Sequence, residues 1–406
     1  MRKNLLLVHL ESLNIINFEL NQELFPHLRK IKEQCIWFPQ YYSTATSTLM
    51  VIGDLLYGGM DQYEQSETLD SVPDDYCYKD SWFDVLKAHG YHTGIYIFPD
   101  GNNRESAEEK HLAGFHNQMW LRRDYKAYLS EFERGMKKSP FALMACNYIS
   151  NLAFDSMTSP NQRGLKTDCW ESGYRVLDEQ VGDLWNLLSE QDLLKETVVV
   201  FYGDHGDDYW THGTHEGITH GIEPTTLLIH TPLFIWHPVE QPHVEDGLIQ
   251  TTDLRWMLEK VLLSDEDMRM AGRPYAYARN AYARQPIRQS TFNKAYSVTD
   301  GTFLLLVSSK GLSLYNVKMD PGCHNNFLRF FCLSDGVLKK NETALYLEQR
   351  LLHGYWRERH KRLIRQAFYE LKKVLYEKTR HTYLAGKRTE QDLRKEMRFD
   401  RIDYEA

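Results

Sequence analysis

The chain has 406 residues, 42% of them hydrophobic, and its 48 Lys and Arg against 56 Asp and Glu give a net charge of -8. That length carries one large globular domain with appendages, and no apolar run approaches the ~20 residues that a bilayer-spanning helix needs. Six cysteines without a CxxC pair exclude a disulfide framework or a zinc knuckle, and Glu11 interrupts the first apolar run too early for a signal-peptide core, so a cytoplasmic chain is expected.

In chain order, residues 5–10 form the first strand candidate and 93–98, 141–148, 198–202 and 232–236 the next four. Helical patterns such as 82–89 and 174–188 lie between them. Short apolar runs alternating with longer amphipathic stretches predict an α/β fold, a mostly parallel sheet flanked by helices. After residue 290 the rhythm shortens: 295–298, 303–307 and 312–317 are separated by turns at Asp300-Gly301 and Lys310-Gly311, which predicts a small antiparallel sheet. From about residue 342 the chain reads as helix, with Leu352, Tyr355, Trp356, Leu363, Ile364, Phe368, Leu371 and Leu375 as its apolar stripe. The expected division is a catalytic domain over 1–290, an antiparallel subdomain over 291–335 and a basic helical tail over 336–406. Residues 339–398 hold 17 Lys and Arg against 8 Asp and Glu, a local charge of +9 that leaves -17 for the rest. Packing on the body, contact within a homo-oligomer and peripheral membrane contact all fit such a tail. No nucleic-acid partner is expected.

The chemistry concentrates where apolar runs stop. Val198-Val199-Val200-Phe201-Tyr202-Gly203 ends in Asp204-His205-Gly206, and Leu5-Leu6-Leu7-Val8-His9-Leu10 ends in Glu11. Open parallel sheets bind ligands outside the carboxyl ends of their strands, so Glu11, Asp204 and His205 are candidate metal ligands at one sheet edge. The hydroxyl-rich Tyr42-Ser43-Thr44-Ala45-Thr46-Ser47-Thr48 precedes an apolar helix that ends near Leu56-Tyr57-Gly58. A threonine hydroxyl holds its proton too tightly to attack at neutral pH. A divalent cation, which takes bound water from a pKa of about 16 to about 7, removes that obstacle. Thr46 is the favoured nucleophile and fourth ligand; Ser43, Thr44, Ser47 and Thr48 compete with it, and capping the following helix is their ordinary role. Mixed oxygen and imidazole ligation suits Mn2+ or Zn2+ ahead of Ca2+ or Mg2+. His212, His215 and His220, dense and glycine-interrupted, could hold a second metal, bind the transferred anion or protonate the leaving oxygen.

Taken in order, these residues resemble the alkaline-phosphatase superfamily in its sulfatase-like branch. The likeness is greatest to the catalytic domain of lipoteichoic acid synthases and phosphoethanolamine transferases, over roughly residues 1–330. Val8-His9-Leu10-Glu11-Ser12 is similar to the first ligand strand; Phe38-Pro39-Gln40-Tyr41-Tyr42, Thr46-Ser47 and Leu56-Tyr57-Gly58 follow the nucleophile region. Ser139-Pro140-Phe141, Tyr202-Gly203-Asp204-His205-Gly206, Thr252-Asp253-Leu254 and Ser313-Leu314-Tyr315-Asn316-Val317 continue the match, with Asp320-Pro321 and Asn325-Asn326 after them. Asn102-Asn103-Arg104 falls where those synthases grip phosphate, which implies that role for Arg104. There are two departures. No Cys/Ser-x-Pro-x-Arg motif exists from which a sulfatase's formylglycine could be made, and Leu152 stands where the synthases carry a substrate-contacting histidine.

The resemblance implies a metal-dependent phosphotransferase. It would move a phosphoglycerol- or phosphoethanolamine-like group from an anionic phosphate-ester donor, lipid-derived in those synthases, to a glycan or small-molecule acceptor through a phospho-threonine. A phosphodiesterase or phosphomonoesterase releasing the group to water is the alternative, and a catalytically silent binding protein of the same fold is the third reading.

Overall fold

The computed structural model describes residues 2–58, 81–98, 119–121, 125–147, 170–208, 220–264, 268, 271–280, 294–342, 358–385 and 389–404. In chain order its strands are β1 (Asn4–Leu10), β2 (Ile36–Trp37), β3 (Tyr41–Tyr42), β4 (His92–Phe98), β5 (Met119–Leu121), β6 (Phe141–Asn147), β7 (Thr197–Gly203), β8 (Leu233–Trp236) and β9 (Ile249–Gln250). They are followed by β10 (Ala276–Arg279), β11 (Ala295–Thr299), β12 (Phe303–Ser308), β13 (Leu312–Asn316), β14 (Phe331–Ser334) and β15 (Val337–Lys340).

β1 is buried along its whole length, as a strand covered on both faces must be. Successive side chains alternate. Leu5 and Leu7 pack with Ile52 and Leu55 of helix Thr48–Tyr57 and with helices Trp82–Ala88 and Thr251–Leu263. Leu6, Val8 and Leu10 face Phe18, Tyr128 of helix Tyr125–Met136 and Tyr174 of helix Trp170–Glu190. Each such side chain contributes about 1.5–3 kcal/mol of transfer free energy, so β1 is held from two sides. Its neighbours β6 and β7 are both parallel to it. The sheet runs β2-β8-β7-β1-β6-β4-β5, with β8 antiparallel to β7 and β2 antiparallel to β8 at one edge. The mostly parallel α/β architecture read from the apolar runs is therefore the one observed.

The C-terminal sheet is antiparallel, in the order β10-β11-β12-β13. It recruits β10 from 276–279, ahead of the expected boundary at 291, and the β14-β15 hairpin carries strand structure past 335. One face packs through Tyr296, Val298, Leu305 and Val307 on Ile364, Phe368, Leu371 and Leu375 of helix Glu358–Ala385. Those four share one side of a 3.6-residue turn; Leu363, a hundred degrees round from Ile364, is 45% exposed instead. Leu352, Tyr355 and Trp356 lie outside the described residues. The other face, with Ala278, Leu304 and Leu306, packs on Tyr42, Leu228 and Ile229 of the body. Cys35, Cys146, Cys323 and Cys332, the cysteines among the described residues, are free thiols. No helix of the described residues is long and apolar enough to cross a membrane.

Candidate metal centre

Two parallel strands in fixed register build the centre. β1 and β7 align His9 with Tyr202 and Leu10 with Gly203, so Glu11 and Asp204 emerge side by side where the strands end. The two-residue period also decides the face: His9 and Glu11 continue the series of Leu5 and Leu7, and Asp204 continues that of Val198, Val200 and Tyr202. Both series point at helix Thr48–Tyr57, and the rings of His9 and Tyr202 stack 5.7 Å apart beneath the carboxylates.

His9 Nε2 lies 3.2 Å from Glu11 Oε2 and 3.1 Å from Asp204 Oδ2. His205 Nε2 is 3.3 Å from the same Asp204 oxygen. All four side chains are fully buried. Ser12, in the left-handed region at φ 56°, turns its backbone N–H to Asp204 Oδ1 at 3.0 Å and donates its hydroxyl to Glu11 Oε1 at 3.3 Å; the Tyr174 hydroxyl donates to the Ser12 carbonyl at 2.8 Å. A non-glycine residue in that conformation costs on the order of 1–3 kcal/mol, and here it aims two donors at the two carboxylates. Gly206 is required by close approach: a Cβ there would stand 2.0 Å from the Leu227 carbonyl oxygen and 2.7 Å from Asn14 Cβ.

His9, Glu11 and Asp204 offer ligand atoms within 4.8 Å of one another. Two carboxylates buried this deeply cost several kcal/mol each unless a cation compensates them, and two carboxylates, imidazoles and a hydroxyl are a donor set that fits a divalent ion. His205 Nδ1 lies 3.0 Å from the Gly206 carbonyl oxygen, which can only accept, so Nδ1 carries the proton and Nε2 is bare in the neutral ring. Burial lowers the His205 pKa, against the pull of Asp204, and so favours that neutral ring. Burial alone would raise the Asp204 carboxyl; the His205 and His9 rings outweigh it and hold Asp204 well below the usual carboxylate range.

Of the hydroxyls in 43–48, Thr48 is the one seen to reach the ligands: its Oγ1 lies 3.0 Å from His205 Nε2 and donates to Glu11 Oε1 at 3.4 Å. Thr46 is buried but turns away, donating to the Ile222 carbonyl at 3.3 Å while its own carbonyl accepts from Gly221 N–H at 2.7 Å. Ser43 donates to the Ala45 carbonyl and Thr44 to Asp54. Ser47 is the N-cap of the helix and makes no side-chain capping bond. His220 stacks on His205 with ring centroids 4.4 Å apart, its Nδ1 2.9 Å from Asp207 Oδ1. Thus the structure gathers Glu11, Asp204, His205 and His220, adds His9 and Thr48, and directs the Thr46 hydroxyl elsewhere. Arg104, His212 and His215 lie outside the described residues.

A sulfatase family model matches residues 172–255, a stretch that contains Asp204 and His205. No curated protein matches the chain by sequence. Solved structures of similar fold include the 2-O glycosaminoglycan sulfatase BT1596, 13% identical with a TM-score of 0.61, the match covering 80% of this chain and 87% of that one. A protein of the alkaline-phosphatase superfamily from Vibrio parahaemolyticus is 16% identical with a TM-score of 0.56, covering 85% and 84%. The lipoteichoic acid synthase LtaP from Listeria monocytogenes is 17% identical with a TM-score of 0.52, covering 75% and 81%. At these identities the likeness is one of fold.

Proposed function

The chain has the sulfatase-like fold of the alkaline-phosphatase superfamily, and from that premise we propose a metal-dependent phosphotransferase. It moves a phosphoglycerol- or phosphoethanolamine-like group from an anionic donor to a glycan or small-molecule acceptor. The observation that carries the reading is the Thr48 hydroxyl held between His205 Nε2 and Glu11. Glu11, Asp204, His205 and His9 would hold the ion, Mn2+ or Zn2+ by donor chemistry. A bound divalent cation supplies a lowered hydroxyl pKa and neutralises charge on the transferring group.

Thr48 Oγ1 passes its proton to Glu11 Oε1, to which it already donates, and attacks phosphorus in line; the bond from phosphorus to the donor oxygen breaks, and a phospho-threonine forms. His220, held at Nδ1 by Asp207, gives a proton to the leaving oxygen. An acceptor hydroxyl, having passed its proton back to His220, then attacks the phospho-threonine and frees Thr48, whose oxygen takes its proton back from Glu11. Arg104, with His212 and His215, takes the phosphate-binding role that the resemblance implies. Water as the acceptor makes the same site a phosphodiesterase or phosphomonoesterase, and the geometry serves both. A formylglycine route to sulfate esters has no Cys/Ser-x-Pro-x-Arg residue to start from.

The test is intact-protein mass spectrometry after incubation with Mn2+ and a soluble activated phosphodiester such as bis(p-nitrophenyl) phosphate. A covalent phosphoryl adduct that survives Thr46→Ala and disappears in Thr48→Ala is expected. No adduct and no turnover would leave only the silent binding protein. Product analysis with and without a glycan acceptor separates transferase from hydrolase.

A further inference from the structure

We propose that Arg279, on the C-terminal sheet, is a positioning residue that sets where the Thr48 hydroxyl stands. The inference rests on the reading of Thr48 given above. Arg279 ends β10, and its guanidinium forms a two-pronged pair with Asp54: Nη1 to Oδ2 at 2.8 Å and Nη2 to Oδ1 at 3.1 Å. Both side chains are fully buried. Asp54 lies in helix Thr48–Tyr57, six residues beyond the hydroxyl in question. The same carboxylate accepts the Thr44 hydroxyl at 2.6 Å, and Arg279 returns to Thr44 twice more, through its backbone N–H at 3.1 Å and Nη1 at 3.4 Å to the Thr44 carbonyl. A parallel bridge between Ala45 and Arg279 completes the attachment.

One residue therefore fixes the chain on both sides of the hydroxyl: at Thr44 and Ala45 before it, and at Asp54 after it. The loop enters the helix between these anchors, and Thr48 is the first helical residue. A planar guanidinium can hold a carboxylate at two points and still reach a carbonyl; an ammonium cannot match that fork. Buried ion pairs are weak contributors to stability, since apolar residues of like volume often replace them without loss. Conformational specificity is what this pair supplies, and the conformation it specifies is that of the loop carrying the nucleophile. It also gives the C-terminal sheet a part in the chemistry although, among the described residues, none of its side chains is seen to contact the ligands.

The experiment compares the full-length chain with Arg279→Met/Asp54→Leu, which exchanges the pair for apolar groups, and with Arg279→Lys, which keeps the charge and loses the fork. Three quantities are read: amide hydrogen exchange, thermal midpoint and steady-state kinetics with Mn2+ and bis(p-nitrophenyl) phosphate. In the double variant exchange at 44–48 should accelerate at least tenfold while β1 and β7 stay protected and the midpoint holds. Turnover should fall on the order of 100-fold with KM nearly constant, as a displacement of about 1 Å predicts, and Arg279→Lys should fall between. Unchanged exchange at 44–48 in either folded variant overturns the proposal, as does unchanged turnover beside accelerated exchange. If the double variant does not fold, Arg279→Lys alone decides by the same criteria. A wild-type chain without turnover or adduct would sink the catalytic reading of Thr48, and with it the catalytic part of this inference, while exchange would still decide whether Arg279 holds the loop.

Discussion

Thr48 Oγ1 stands 3.0 Å from His205 Nε2, joining residues 157 apart in sequence. The hydroxyl, whose proton goes to Glu11, can share a cation with the bare ring nitrogen, whereas Thr46 is committed to the Ile222 carbonyl. Calorimetric titration with Mn2+ should distinguish the two threonines. Thr48→Val is expected to weaken binding about tenfold, the size of effect seen when a group in or next to a metal shell is removed, and Thr48→Ser should recover most of it. Thr46→Val should stay within about threefold of wild type. A larger loss from Thr46→Val than from Thr48→Val would reverse the assignment.

That Glu11, Asp204 and His205 come together was legible because strand ends are: an apolar run that stops at Glu11 or at Asp204-His205 marks both the strand and its edge. His9 was harder to read. It is inside the first run and looks like a strand residue, yet it is two positions before Glu11 and so shares its face; applying that period to the run itself would have found it. The sequence favours Thr46 for the hydroxyl, whereas the structure turns Thr48 toward Glu11 and His205, for a different reason. Five Ser and Thr residues among the six of 43–48 carry no periodicity, and which one reaches the candidate ligands depends on how the loop enters the helix, which Arg279 and Asp54 settle from 225 residues apart in the chain. Tertiary pairing also explains why β10 was missed: Ala276–Arg279 has no long apolar run, and it is a strand because β11 is beside it. The division at 290 followed a change of rhythm in the sequence, whereas the sheet follows hydrogen bonds.

The buried carboxylates predict a cation-dependent stability. A ligand that binds only the folded state at 100 times its dissociation constant adds about 2.7 kcal/mol. Urea unfolding of chelator-treated protein should shift upward by about that much on adding saturating Mn2+ or Zn2+. The shift should vanish in a Glu11→Gln/Asp204→Asn double variant. An equal shift in that variant would place the ion elsewhere.

Gly206→Ala tests the approach of the 227–228 segment to the ligand turn. The new methyl would meet the Leu227 carbonyl oxygen and Asn14 Cβ, neither of which is the far end of a flexible side chain. The Gly206 N–H to Leu228 carbonyl bond at 2.9 Å ties the same two segments together. Overpacking of this kind costs about 3 kcal/mol, and because His205 precedes Gly206 the loss should include Mn2+ affinity. A variant with wild-type midpoint and wild-type affinity would show that the turn relaxes freely.

Acid should weaken the fold through His230, outside the ligand set. Its ring stacks on Tyr42 with centroids 4.5 Å apart, and Nε2 donates to the Pro39 carbonyl at 2.8 Å. Burial pushes its pKa down to about 4, against the pull of that carbonyl. The ordinary value is about 6.5, so on acidification the unfolded chain takes up the proton first. Stability then falls as pH drops through the window from about 6.5 to about 4, and this residue contributes no further loss below it. Discounted for the ring's partial contact with solvent, the loss amounts to about 2 kcal/mol. His230→Phe keeps the stacked ring and removes the proton site, so urea unfolding at stepped pH should show a slope shallower by up to one proton across that window. Parallel slopes for the variant and the wild type would mean that His230 takes up its proton equally in the folded and unfolded chains.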